Sequence, residues 1–323
     1  MGTKLKSLAS IFIPILLGLG LTLYFYNSFT SQEIEKMKGY FISANYNYVL
    51  ISLVFAVSGY VLRAYRWKYT LVEIGCKPDF KLNFLAVSIG YFVNLTIPRS
   101  GEFSRALILK NYQGVPFDKA FGTIIAERIV DFIILLIFIF TALILEYETL
   151  KNLVLYYISL KKLLILAIIG FCGMLLFFYL YFYSTWKFII LLKTKVEGLK
   201  EGTLSVLKMP NKWPFILYTL LIWFSYVLMF YSSTFALEET NSITIGTVLV
   251  SFVIGSLIIA FTNGGFGFFP ALIMKILLLY GVAEAAGYAF GWIVWTSQLI
   301  ITVVLGIFAF LVLPLIRKKQ IIS

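Results

Sequence analysis

From Ala286 to Pro314 the chain runs for 29 residues without a charged side chain. At about 1.5 Å per residue a helix of that length exceeds 40 Å, enough to cross a bilayer whose hydrocarbon core is about 30 Å thick. Similar charge-poor runs recur near 8–27, 47–65, 120–145, 161–183 and 214–236. The whole chain of 323 residues is 61% hydrophobic and 13% charged, about half the charged fraction of a soluble domain. Too few charged side chains remain to cover a water-facing surface, so a soluble enzyme is excluded, and such hydrophobicity excludes disorder as well. The expected fold is an all-α integral membrane protein, one polytopic domain over 1–323.

The first run follows Lys4 and Lys6 in the manner of a secretory signal. Bulky Tyr24, Phe25 and Tyr26 stand where small residues would mark cleavage, so this run reads as the first of six spans. Two further apolar stretches, 82–112 and 246–281, are interrupted. The first breaks at Ile97-Pro98-Arg99-Ser100-Gly101 and the second at Asn263-Gly264-Gly265-Phe266-Gly267. Pro and Gly end a helix there and let the backbone turn. Each stretch is either a re-entrant hairpin with its break buried at membrane depth or a plain hairpin with a tight turn at the surface.

An internal repeat favours re-entry. At an offset of 165, residues 89–110 fall on 254–275 with seven of 22 positions identical, among them Gly90/Gly255 and Lys110/Lys275, and the two breaks coincide. Interrupted hydrophobic repeats are the pattern of transporters that bind substrate between their halves. The halves are expected over about 82–146 and 246–314.

Charge orients them. With both termini cytoplasmic, fifteen Lys and Arg fall in inside loops, Arg66 and Lys68 among them, against five outside (Lys36, Lys38, Lys151, Lys161 and Lys162), as the positive-inside rule requires. The hairpins then enter from opposite sides, which makes the repeats inverted. This placement also explains the net charge of +12 without nucleic acid. The linker over about 187–212 carries an apolar face from Val196 to Leu207 against several lysines; it reads equally as a helix on the cytoplasmic interface and as a solvated connector.

Ionisable groups at membrane depth are costly, so each is a functional candidate. Arg99, Glu102 and Arg105 follow the first break at spacings of three; Glu127 and Asp131, with Arg128 beside them, share a face early in the next span. Helix N-termini after each break offer backbone N–H groups at Gly264, Gly265 and Gly267 and their counterparts, with Asn263 alongside. Arginine forks and N–H groups suit a phosphate, carboxylates a cationic group. Each cluster also reads as an interhelical staple, and the second break as a simple turn. Tyr65, Trp67, Tyr69, Trp186, Trp213, Trp292 and Trp295 near span ends are expected as interface anchors. The chain has no His, and its lone Cys76 and Cys172 make neither a disulfide framework nor a thiolate metal site. There is no Walker A sequence and no nucleophile elbow, so neither enzymatic activity nor a cofactor is expected.

The Pro-x-x-Gly-Glu-x-x-Arg element over Pro98–Arg105 and the Glu-Arg-x-x-Asp element over Glu127–Asp131 resemble those of a known family. It is the flippase-like transmembrane domain of lysylphosphatidylglycerol synthases, with the UPF0104-type membrane proteins. Arg66-Trp67 and Gly264-Gly265-Phe266-Gly267 also fit, and the likeness runs from about residue 8 to 315. In two-part members this domain moves an aminoacylated phospholipid between leaflets and a soluble domain makes it. The resemblance implies translocation here and no aminoacyl transfer, since the synthase part is not present. Many relatives carry a Glu after Gly-Gly-x-Gly where Pro270 stands, which argues against a lysyl-lipid.

The expected function is therefore a lipid translocator of the bacterial-type cytoplasmic membrane. Its partner would be a phospholipid or isoprenoid-linked lipid, with a homodimer or a lipid-synthesising subunit as further associations. The alternatives are an ion-coupled small-solute transporter and a non-transporting accessory subunit.

Overall fold

The structure, a computed structural model, describes residues 16–77, 79–97, 99–157, 160–184, 186, 189, 190, 193, 206, 208–262 and 264–316. Asn263, Pro98, Lys4, Lys6 and most of the linker over 187–212 lie outside the described residues. Among those described the regular structure is helical throughout. Helix α1 covers 16–28. There follow α2 (Ser31–Ser43), α3 (Tyr46–Glu73), α4 (Phe80–Thr96), α5 (Ser100–Gln113), α6 (Phe117–Leu145), α7 (Tyr147–Tyr157) and α8 (Leu160–Tyr183). The chain continues through α9 (Lys212–Thr234), α10 (Ile245–Phe261), α11 (Phe268–Leu279) and α12 (Glu284–Val312). By length and composition, α3, α6, α9 and the helical run Glu284–Leu315 can each cross a membrane.

Two segments expected as outer loops are helical. In α2, Thr30 and Glu33 form a reciprocal capping box. The Thr30 backbone N–H and hydroxyl hold the Glu33 carboxyl below the usual carboxylate range. The connection after α6 continues almost directly as α7. Helix α3 is longer than its hydrophobic run predicts. It does not end at residue 65 but runs on to Glu73, so Arg66 is fully buried within a helix and is not a loop cation. Its charge is tolerated there because Asp131 neutralises it. Removing Arg66 from the count still leaves fourteen inside charges against five.

The local signals of α4–α6 and α10–α12 match one for one. Asp79 caps α4 through Lys81 N and Leu82 N, and Thr244, 165 positions later, caps α10 through Thr247 N. Both first helices are 17 residues long. At the breaks, Arg99 (φ 62°) and Gly264 (φ 70°), again 165 apart, both take the left-handed conformation. Gly114 (φ 69°) and Gly281 (φ 84°) end the second helices in the same way. Extended Pro116 and Ala283 then start two helices of 29 residues, each with an acid in its first turn, Asp118 and Glu284.

Each long helix packs on the other unit's first helix. Phe92 of α4 meets Gly306 of α12 and stacks edge-on with Phe310, while Leu82 and Leu313 share one apolar core. Glu146, just past α6, lies against Gly246 at the start of α10, and Phe138 packs on Phe252. Within both pairs the helices run antiparallel. The breaks themselves meet: a Cβ on Gly264 would touch Leu95 at 3.5 Å. Trp295, well inside α12, donates to Gly264 O at 2.8 Å.

Candidate functional site

Helices α4 and α5 approach closely enough that a Cβ on Gly101 would collide with the Gly90 carbonyl, so only glycine fits there. This contact brings the first turn of α5 against α4 and turns Glu102 and Arg105 toward α6. Glu127, Arg128 and Asp131 stand opposite, 10 to 14 residues into a 29-residue helix. They lie in the first half of this helix, with Asp131 at its midpoint.

Apart from Arg99, the two sequence clusters form one network, completed by Arg63, which the sequence did not single out, and by Arg66, which it placed in a loop. Arg63 and Arg66 of α3 converge on Asp131: Arg63 Nη1 donates to Oδ2 at 2.8 Å, and Arg66 donates to Oδ1 at 2.6 Å and to Oδ2 at 3.1 Å. Thr219 of α9 accepts from Arg66 at 3.2 Å, and Tyr226 accepts from Arg63 Nε at 2.6 Å while sharing a hydrogen bond with Tyr91. Arg105 pairs with Glu127 at 3.0 Å, and Arg66 reaches the same oxygen at 3.8 Å. Arg128 pairs with Glu102 at 3.1 Å and approaches Asp131 at 3.7 Å. A usable signal for Arg63 existed, an arginine inside an apolar run.

Trp67 is not an interface anchor. It is fully buried, donates to Thr123 and lies 4.0 Å beneath the Arg105 guanidinium, a cation–π contact that desolvation strengthens. Trp292 and Trp295 likewise pack around Phe266 at the second break. Trp186 and Trp213 are exposed, as interface anchors should be.

Among the described residues four guanidiniums face three carboxylates, so the network carries one uncompensated positive charge when all groups are ionised. Among the described residues, buried Arg66 Nε and Arg105 Nε have no hydrogen-bond partner, nor have Glu127 Oε1 and Glu102 Oε2. Arg99 adds a further cation at the break. It is exposed and makes no ion pair among the described residues, and it is the non-glycine residue with positive φ there. The helix-start N–H groups are less available than expected. Gly101 N donates to Asn94 Oδ1 at 2.7 Å, and Gly265 N donates to Thr262 Oγ1 and Gly264 N to the Thr262 carbonyl, each at 3.0 Å. The side chains of Asn94 and Thr262 thus take Gly101 N and Gly265 N, and the Thr262 carbonyl takes Gly264 N. Gly264, Gly265 and Gly267 lie at the second break, where Gly264 faces Leu95 of α4.

A narrow cleft lined by Gly90, Tyr91, Asn94, Glu102, Arg105 and Arg128 leads into this network. It has room for about one water.

The family described as the lysylphosphatidylglycerol synthase TM region matches residues 11–317. A UPF0104 membrane protein of Methanocaldococcus jannaschii is 32% identical over 108 residues, which is 32% of this chain and 32% of that relative. The aligned segment thus spans about a third of the relative's length. No solved structure matches significantly. With its paired elements folded into one buried network and nearly its whole length matched, this chain belongs to the lysylphosphatidylglycerol synthase TM-region family.

Proposed function

We propose that the protein moves a phosphate-bearing lipid headgroup between membrane leaflets. The observation that carries this reading is the excess positive charge of the network halfway along α6. An unpaired cation at that depth is costly, and an anionic phosphate would balance it. Arg105 and Arg128 line the cleft and Arg99 stands at its break, so these three would hold the phosphate. Glu102 and Glu127 would take a donor group of the headgroup through their unpartnered oxygens. No bond to the lipid is made or broken in such a step, only its headgroup is transferred.

The matched caps, lengths and left-handed positions of α4–α6 and α10–α12 support a repeat. Antiparallel packing of α4 on α12 and of α10 on α6 supports inversion of that repeat. The contact between the breaks, level with the interior of α12, supports two re-entrant hairpins. Because each long helix packs on the opposite hairpin as well as on its own, movement of the hairpins relative to the long helices fits better than rocking of two separate halves.

Reconstitution into liposomes containing labelled phospholipids of several headgroups tests the function. Leaflet exchange above that of empty vesicles for at least one phosphate-bearing lipid is expected, and exchange equal to the control for every headgroup would sink the proposal. The orientation, cytoplasmic at both ends, has its own check. A single cysteine at Ser242 should label from outside intact cells and one at Ser323 should not; the reverse pattern would overturn it.

A further inference from the structure

The charged network is enclosed nearly everywhere. Arg63, Arg66, Arg105, Glu127 and Asp131 are all buried. The Arg128–Glu102 pair is the part that reaches the surface, with 35% of the Arg128 side chain and 18% of Glu102 exposed. Its surroundings decide what it is exposed to. On α6, Arg128 falls in the stripe Ile125, Phe132, Leu136, spaced three or four apart on one helix face, and these three apolar side chains are exposed. On α5, Phe103 and Leu107 are exposed beside Glu102, and Phe103 packs on Phe121 with ring centroids 4.9 Å apart. A stripe of large exposed apolar residues at the middle of a spanning helix faces acyl chains, not water. The ion pair therefore stands in a lipid-facing wall, between the hydrocarbon and an uncompensated buried cation.

We infer that the seam between α5 and α6 is a lateral portal for a membrane phospholipid. Its phosphate headgroup enters the network past Arg128 and Glu102 and the rim positions Ile125 and Phe132, while its acyl chains stay in the bilayer along Phe103 and Leu107. Charge complementarity names the occupant: the headgroup must bring negative charge to a site one positive charge in excess, and the apolar rim accepts tails. The pair is suited to part. Its members belong to different helices, and Arg128 keeps Asp131 within 3.7 Å when Glu102 leaves. The inference rests on the lipid-translocation reading, which the following test separates from it.

Single-cysteine chains, with Cys76 and Cys172 changed to Ser, are reconstituted in phosphatidylcholine vesicles. These contain phosphatidylethanolamine with a maleimide on its headgroup nitrogen, a lipid whose phosphate remains anionic. Phe132→Cys tests the portal, and Ile300→Cys on α12 is the control, since the two parent residues are 50% and 53% exposed near the middle of their helices. A headgroup that enters at the portal should alkylate Phe132→Cys at least tenfold faster than Ile300→Cys; equal rates overturn the portal. Where Phe132→Cys fails to accumulate, Ile125→Cys takes its place with the same criterion. Leaflet exchange is scored on the same vesicles. Fast alkylation without exchange keeps the portal and defeats translocation; exchange without selective alkylation keeps translocation and defeats the portal.

Discussion

An Asp131→Asn chain should melt on the order of 10 °C below the parent in mild detergent. The Asp131 carboxylate accepts three guanidinium hydrogen bonds from Arg63 and Arg66, and both arginines are almost wholly buried. Asparagine keeps the shape but removes the charge, and the excess in the network rises from one positive charge to two. Breaking a buried pair by neutralising one partner costs about 3–5 kcal/mol, and for a chain of 323 residues each kcal/mol moves the midpoint by roughly 2 °C. Adding Arg63→Gln to Asp131→Asn should recover part of the loss, because the second change removes an orphaned cation. A single variant that melts with the parent would mean that Asp131 does not tie α3 to α6.

Arg99 and Arg105 should separate binding from stability. Arg99 is left-handed at φ 62°, a conformation that costs an L-residue roughly 1–2 kcal/mol, and its counterpart at an offset of 165 is Gly264. Arg99→Gly relieves that strain, though glycine adds entropy to the unfolded chain. The folded state should lose nothing and gain up to about 1 kcal/mol. Lipid exchange should nevertheless fall more than about tenfold, the loss of some 1.4 kcal/mol of interaction in the transfer step. Opposite signs in the two measurements would be hard to obtain from a residue that only supports the turn. If exchange survives Arg99→Gly intact, the guanidinium does not touch the headgroup. Arg105→Gln should lower both quantities, because it leaves Glu127 with only the long contact to Arg66 and strips Trp67 of its cation. Arg105→Lys should restore only part, since an ammonium can return a cation to the indole face but lacks the planar fork of the guanidinium.

Much of this protein is local in origin and was legible without coordinates. Charge-poor runs of spanning length dictate helices in a bilayer, because an unpaired backbone is intolerable there. The breaks at Pro98–Gly101 and Gly264–Gly267 follow from backbone restrictions of proline and glycine. The offset of 165 was likewise readable, and the caps at Asp79 and Thr244 fall on it. What the sequence left open concerns groups far apart in the chain. Local charge rules put Arg66 in a loop, and only its contact with Asp131, 65 positions away, makes its burial affordable. Spacing likewise treated Glu102 and Arg105 as one unit and Glu127, Arg128 and Asp131 as another, whereas packing of α5 on α6 crosses the pairs. The N–H groups expected to await a phosphate are taken by Asn94 and Thr262, neighbours that a sequence reading ranks no higher than other polar residues. Hydropathy and backbone sterics act within a few residues and can be read from order alone. Which charges neutralise one another is decided by helix packing, since an ion pair in a low-dielectric interior depends on separations of a few ångströms that spacing along the chain does not determine.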